Sequence, residues 1–332
     1  LDGVTYVPLP LIPFLHSGDF RFPMVFPWVI RRQVEWADLL WTHTAISIGG
    51  SCIREAKKRG VPIVSMIHSA EWVVYGKAAL MAKRFTERLW LRVARKRYGT
   101  AELLLTPGET TKQELLKANF QKQIETTSLG VCLKQFAPLP VSKLAEHRKS
   151  LGLPTDKPII GYVGRFGPEK NLDTLIEAHA NIEAETGAHL VLVGGQRHEL
   201  RPNRFGKNLT VVSPTMQPHL YYQAMDLYVL PSLTESFPLG ILEAMACGIP
   251  PVSTPVGSIP NIIVPNQNGI LFSPQNVDEL AHHLNDLIVD IAKRVSIGTA
   301  ARETVENGYS WEKAANRISS RLQKFTANIS TN

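Results

Sequence analysis

Short runs of β-branched and aliphatic residues alternate along this chain with stretches in which apolar positions recur every three or four residues. That rhythm is the one expected of parallel strands separated by helices. In the first half, Val4–Val7, Leu39–His43, Ile63–His68 and Leu103–Thr106 predict strands, and Gly50–Arg59, Lys77–Arg97 and Glu109–Asn119 predict helices. Pro138, Pro140, Pro154 and Pro158 make Gln135–Lys157 the expected linker. Beyond it, strands are expected at Ile159–Val163, Leu190–Val193, Leu209–Val212, Leu227–Leu230 and Pro251–Ser253. Helices are expected at Asn171–Ile182, Pro218–Met225, Leu239–Cys247, Val277–Ile291 and Trp311–Phe325, with a turn at Asn268-Gly269. The expected fold class is α/β, with two doubly wound, Rossmann-like domains, residues 1–150 and 151–310, facing a cleft. A ligand would sit outside the carboxyl ends of their strands.

Composition narrows the class without changing that picture. The 332 residues, 44% hydrophobic and 20% charged, are ordinary for a soluble two-domain protein. No apolar run reaches the roughly 18 residues of a spanning helix. Cys52, Cys132 and Cys247 form no metal or redox motif and are read as small buried hydrophobes of a reducing compartment. The ten histidines lack zinc-site spacing, and no Asp-x-Asp occurs, so no metal is expected. The chain opens at Leu1 with no signal-peptide pattern.

Two stretches carry candidate chemistry. In Gly161-Tyr-Val-Gly164-Arg165-Phe-Gly-Pro-Glu-Lys170-Asn171, a strand enters a glycine-rich turn and then a helix. Exposed N–H groups at such a helix start attract anions, and Arg165 and Lys170 add two cations that could neutralise a diphosphate leaving group. A plain turn with solvated charges fits the same residues about as well. In Thr234-Glu235-Ser-Phe237-Pro-Leu239-Gly240-Ile-Leu-Glu243, two carboxylates bracket a helix start. Either could accept paired hydrogen bonds from sugar or ribose hydroxyls, or serve as a cap and a solvated charge. An unpaired charge at Glu243, inside the apolar run Ile241–Ala246, is costly to bury.

Glu235-x7-Glu243 within "TESFPLGILEAMACGIPPVSTPVGSIPNII", preceded by "GYVGRFGPEKN" and followed by "NGILFSP", resembles the retaining glycosyltransferases of family 4, which have the GT-B fold. The resemblance covers at least residues 159–275, and Val61–His68 followed by Leu103–Pro107 also fits the family's first domain. It implies transfer of a hexose from a UDP- or GDP-sugar to a lipid-linked or saccharide acceptor, without a cofactor. The donor phosphate itself would receive the acceptor proton. Gly164, Arg165 and Lys170 would hold the donor diphosphate, Glu235 the sugar hydroxyls and Glu243 the ribose hydroxyls. The main-chain amides of Phe237, Leu239 and Gly240 would line the pocket. His68 matches the family's active-site histidine, and His43 is a weaker acceptor-side candidate. "YSWEKAANRISSRLQKF" resembles the family's closing helix, so residues 311–328 are expected to return to the first domain.

The sequence departs from the pattern at three places: Lys170-Asn171 for Lys-Gly, Leu129-Gly130-Val131-Cys132 for Asn-Gly-Val-Asp, and Pro238 for a frequent glycine. Val4–Val7 resembles the third strand, so the first strand–loop–helix units are expected to be absent from this chain. A phosphorylase-like enzyme and a non-catalytic sugar-nucleotide binder are the rivals on the same architecture.

Between Lys77 and Arg97, eight basic residues stand against the single acid Glu87, as much excess charge as the +7 of the whole chain. Met81, Phe85, Leu89 and Val93 form an apolar stripe there, flanked by Arg84, Arg88 and Arg92, with Trp72, Tyr75 and Trp90 nearby. That pattern suits an anionic membrane surface. It also suits a core-facing stripe with a solvated basic face. No nucleic-acid module accompanies the charge. The expected location is cytoplasmic, with peripheral attachment to the inner face of the membrane if the stripe is exposed.

Overall fold

The computed structural model describes residues 4–17, 20–70 and 83–330. Its contacts divide the chain into two units, 1–127 and 128–332.

The first unit holds a four-stranded parallel sheet in sequential order, β3 (Leu40–Thr42), β4 (Ile63–Met66), β5 (Leu103–Thr106) and β6 (Gln123–Thr126). Before it comes an antiparallel pair, β1 (Leu11–Ser17) and β2 (Phe20–Pro23). The connecting helices are α1 (Pro27–Glu35), α2 (Ser47–Arg59), α3 (Lys83–Tyr98) and α4 (Glu109–Lys117). β4 and β5 read IVSM and LLLT and are buried at every position, as strands covered on both faces must be. The core of this unit gathers Ile30, Val34, Ile53, Ile63, Leu104 and Leu115 from the helices and the sheet.

The second unit opens with α5 (Val141–Ser150) and carries a six-stranded parallel sheet. Its order is β12 (Ile270–Leu271), β11 (Pro251–Ser253), β10 (Leu227–Leu230), β7 (Ile159–Val163), β8 (His189–Val193), β9 (Leu209–Val212). The helices are α6 (Leu172–Thr186), α7 (Pro218–Tyr222), α8 (Leu239–Ala246), α9 (Val277–Val289), α10 (Ile291–Gly308) and α11 (Trp311–Ser330). Asn276 and Asp290 start α9 and α10 by accepting the N–H groups of Glu279 and Lys293, each three residues on. The chain runs outward from β7 through β8 to β9, then returns to place β10 on the other side of β7. That reversal puts a topological switch point between the carboxyl ends of β7 and β10.

Several expectations change. Val4–Val7 forms no strand and Val4, Tyr6 and Val7 are exposed; Pro8 and Pro10 follow it, and neither can donate to a ladder. Gln135–Lys157 is not a free linker, because α5 lies inside it and is anchored to the second unit. Arg148, 5% exposed, donates to Asp226 and to the carbonyls of Ala224 and Lys157. The division between units therefore falls at Thr127 rather than near residue 150. α11 groups with the second unit, where the Trp311 N–H meets the Val131 carbonyl at 2.9 Å and Arg317 donates to the Ser128 carbonyl. Of the cysteines, Cys247 is buried, whereas Cys52 and Cys132 are half-buried.

In α3 the buried side is formed by Ala94 and Tyr98, while Phe85 is 70% and Leu89 47% exposed. The core-facing alternative for these two stripe positions is thereby removed. Trp72, Tyr75, Lys77 and Met81, which completed the expected basic and apolar surface, lie outside the described residues. Among the described residues no helix is long and apolar enough to cross a membrane.

Candidate functional site

Both motifs of the second unit emerge at the switch point. β7 ends in Gly164, whose N–H donates to the Val193 carbonyl at 2.9 Å. The chain then turns through Arg165 and Gly167 into a 3-10 turn at Pro168–Lys170. Asn171 adopts left-handed φ 52° and ψ 43° and begins α6. Asparagine tolerates that conformation better than most side chains. Its side-chain amide also donates to the Pro231 carbonyl, and the Leu233 N–H donates to the Glu169 carbonyl, so the loops after β7 and β10 are stitched together.

Across that seam Lys170 Nζ lies 2.5 Å from Glu235 Oε1, and the Ser232 hydroxyl donates to the same oxygen at 2.8 Å. The two charged side chains are 20% and 11% exposed, so the pair is shielded from water on most sides. Arg165 pairs with Glu169 instead and keeps 60% of its side chain exposed, free to swing toward an anion.

α8 starts directly after Pro238, which offers no capping side chain. The Leu239 N–H turns to the Phe237 carbonyl at 3.1 Å. Among the described residues the amides of Phe237 and Gly240 have no backbone acceptor, as the first turn of a helix requires. Gly240 is forced by close packing: a Cβ there would stand 2.4 Å from the Tyr228 hydroxyl and 3.2 Å from that of Tyr222. Glu243 lies one turn further in, and burial pushes its carboxyl above the usual range while the neighbouring Tyr222 hydroxyl opposes the shift. An ionised Glu243 would gain from ligand hydroxyls donating to it.

The pattern reading missed the support beneath these residues. Tyr222 and Tyr228 are wholly buried, with rings 5.4 Å apart, and burial raises both hydroxyls well above their ordinary value. Gly257, at φ 61°, presses on the Glu235 backbone so closely that a Cβ would meet its carbonyl at 1.9 Å. Ser258 and Thr254 donate to the Ser236 and Ser232 carbonyls. The glycine in "PVGS", between Val256 and Ser258, was the one available signal for this brace.

In the first unit, His43 and His68 follow the carboxyl ends of the adjacent strands β3 and β4. Parallel pairing of Thr42 with Ser65, whose hydroxyls bond at 2.8 Å, holds the two strands in register. The rings meet through His43 Nδ1 and His68 Nε2 at 2.9 Å. The structure thus unites His43 with His68, and Lys170 with Glu235, each within its own unit.

Comparison with known proteins accords with this layout. Residues 144–304 match the model of a family described as Glycosyl transferases group 1, and residues 2–135 that of Glycosyltransferase Family 4. The sulfoquinovosyl transferase SQD2 of Arabidopsis thaliana is 31% identical over 82% of this chain and 54% of its own length. A GDP-mannose-dependent monoacylated alpha-(1-6)-phosphatidylinositol monomannoside mannosyltransferase of Corynebacterium glutamicum is 32% identical over 58% of this chain and 54% of its own. The chain spans about half the length of these two curated relatives. Anabaena HepE, solved in complex with UDP-glucose, superposes with a TM-score of 0.76 over 90% of this chain and 81% of its own, at 20% identity, and so shares the fold.

Proposed function

Because the chain belongs to the family 4 glycosyltransferases of GT-B fold, we propose that it transfers a hexose, with retention, from a UDP- or GDP-sugar to a lipid-linked or saccharide acceptor. The observation that carries this reading is the Lys170–Glu235 contact. It joins a cation-bearing anion loop to a carboxylate-bearing helix start at a switch point. One side of that junction suits a diphosphate and the other a polyhydroxylated ring.

In this reading Arg165, Lys170 and the Gly164 turn receive the diphosphate, supplying the positive charge a metal would otherwise bring. Glu235 accepts from the sugar hydroxyls and Glu243 from the ribose. The amides of Phe237 and Gly240 would offer their donors to the ligand, and the family pattern assigns His68 to the reacting sugar. The leaving phosphate takes the acceptor proton on the face from which it departs. Nucleotide-sugar use accords with the GDP-mannose dependence of one relative and the UDP-glucose complex of HepE, and a lipid acceptor with the phosphatidylinositol mannoside substrate of the former.

Calorimetry with UDP- and GDP-sugars tests the donor site. Glu243→Ala is expected to weaken donor binding about 10- to 150-fold, the equivalent of charge-assisted hydrogen bonds worth roughly 1.5–3 kcal/mol. Unchanged affinity removes Glu243 from the site.

A membrane-bound acceptor calls for a membrane-facing surface, and α3 offers one. Phe85 and Leu89 are exposed beside the exposed Arg88 and Arg92. Binding to anionic vesicles is expected at low salt, with a fraction that persists at high salt because apolar insertion is not screened. Phe85→Ser with Leu89→Ser should abolish that persistent fraction in co-sedimentation. Equal behaviour with neutral and anionic vesicles at low salt would sink the membrane reading.

A further inference from the structure

His43 and His68 are linked to a third ring. The Trp41 indole N–H donates to His43 Nε2 at 2.7 Å, and His43 Nδ1 lies 2.9 Å from His68 Nε2. The two imidazole planes are within 10° of parallel, with centroids 5.1 Å apart, so an N–H on one can aim at the in-plane lone pair of the other. An indole nitrogen only donates. His43 Nε2 must therefore carry a lone pair, and neutral His43 must hold its proton on Nδ1. That proton points at His68, whose Nε2 must in turn accept it. The remaining ring proton of His68 then sits on Nδ1. One donor with no alternative role thus fixes the tautomers of two histidines in series.

Among the described residues, adding a proton to either ring costs one of these hydrogen bonds. Protonating His43 would place an N–H against the Trp41 N–H. Protonating His68 would place one against His43 Nδ1–H, unless His43 changed tautomer and met Trp41 instead. Each route sets donor against donor and breaks a hydrogen bond.

We propose that Trp41 and His43 are positioning residues that hold His68 as a neutral Nδ1–H donor, so that it serves the reaction by donating a hydrogen bond and not as a base. The inference rests on the proposed assignment of His68 to the reacting sugar. Both histidines are also shifted below the ordinary range, mainly by desolvation, with His43 adding a smaller effect on His68. Among the described residues no carboxylate or cation contributes to either shift, and the side-chain hydrogen bonds of the two rings run to each other and to the Trp41 indole.

Ring-nitrogen NMR of histidine-labelled protein tests the chain directly. In the unaltered protein both rings are expected as single Nδ1–H tautomers that titrate below an ordinary histidine. Trp41→Phe, which keeps an aromatic ring and removes the N–H, should mix the His43 tautomers and raise the titration midpoint of both rings by roughly 0.5–1 pH unit, the equivalent of one neutral hydrogen bond. In Trp41→Phe kcat should fall in proportion to the fraction of His68 that shifts to the Nε2–H tautomer, because that form presents a lone pair at Nδ1 in place of the donor. An Nε2–H tautomer of His68 in the unaltered protein overturns the inference without recourse to any variant, so a poorly folded Trp41→Phe cannot shield it. Unchanged tautomers in Trp41→Phe overturn it as well. If the tautomers mix while kcat is unchanged, His68 has no part in transfer, and the inference falls through the reading on which it rests.

Discussion

Lys170→Ala is expected to lower kcat about 100-fold while changing the donor KM only a few-fold. A group that acts on charge developing in the transition state affects turnover more than ground-state affinity. Lys170 meets that description because of where it is held. Its ammonium lies 2.5 Å from Glu235 and only 20% of the side chain meets water, so little solvent competes for it. In the proposed site the cation is therefore held in place by the carboxylate assigned to the sugar. In the proposed reaction, negative charge would grow on the leaving oxygen as the bond to the diphosphate breaks, and the fixed ammonium would stabilise it without reorganising. Glu235→Gln should also slow turnover, and the double variant should be far from additive, because each residue positions the other. A Lys170→Ala enzyme with normal kcat and a raised KM would assign Lys170 to ground-state binding alone.

Much of the second sheet was readable because β7, β8, β10 and β11 are covered on both faces, while β9 at its edge is half-buried. Ile159–Val163, Leu209–Val212, Leu227–Leu230 and Pro251–Ser253 are continuous apolar or β-branched runs, and the strands occupy these spans. The glycine turn after β7 and the Glu-x7-Glu helix were legible for a different reason: each is a local motif. What was not legible depends on distant approach. The Lys170–Glu235 contact spans 65 residues, and the tyrosine hydroxyls under Gly240 come from elements that precede it in the chain. Such pairings are set by the order of strands in the sheet and leave no trace in spacing. α10 escaped notice because Gly298, in its middle, reads as a breaker. In the structure a Cβ there would stand 2.3 Å from the Gly248 carbonyl, so glycine is what lets this helix pack against the end of α8. At the chain start, β-branched residues suggested a strand, yet Val4–Val7 has no partner strand among the described residues.

The misplaced domain boundary leads to the second large effect, Arg148→Ala, which is expected to destabilise the second unit by about 3–5 kcal/mol. For a unit of this size that corresponds to a fall in Tm of roughly 6–20 °C. Arg148 spends its donors on three sites at once: Asp226 at 2.7 Å and the carbonyls of Ala224 and Lys157. Its side chain is 6% exposed and that of Asp226 18%, so the pair lies in a medium where an uncompensated charge is costly. Asp226 also accepts the Ile159 N–H at 2.7 Å. It therefore anchors the start of β7 and immediately precedes β10, the two strands whose far ends carry the candidate donor site. Truncating Arg148 removes the guanidinium, leaves three shielded acceptors short of a donor with Arg294, 3.9 Å from Asp226, as the remaining cation there among the described residues, and loosens α5, which keeps its His147–Leu220 bond. Asp226→Asn should be milder, since an amide oxygen can still accept from Ile159 and Arg148 while the charge attraction is lost. The expected order of Tm is therefore unaltered protein, then Asp226→Asn, then Arg148→Ala. If Arg148→Ala melts at the unaltered temperature, residues 141–150 are not part of the folded second unit, and the boundary belongs near residue 150 after all.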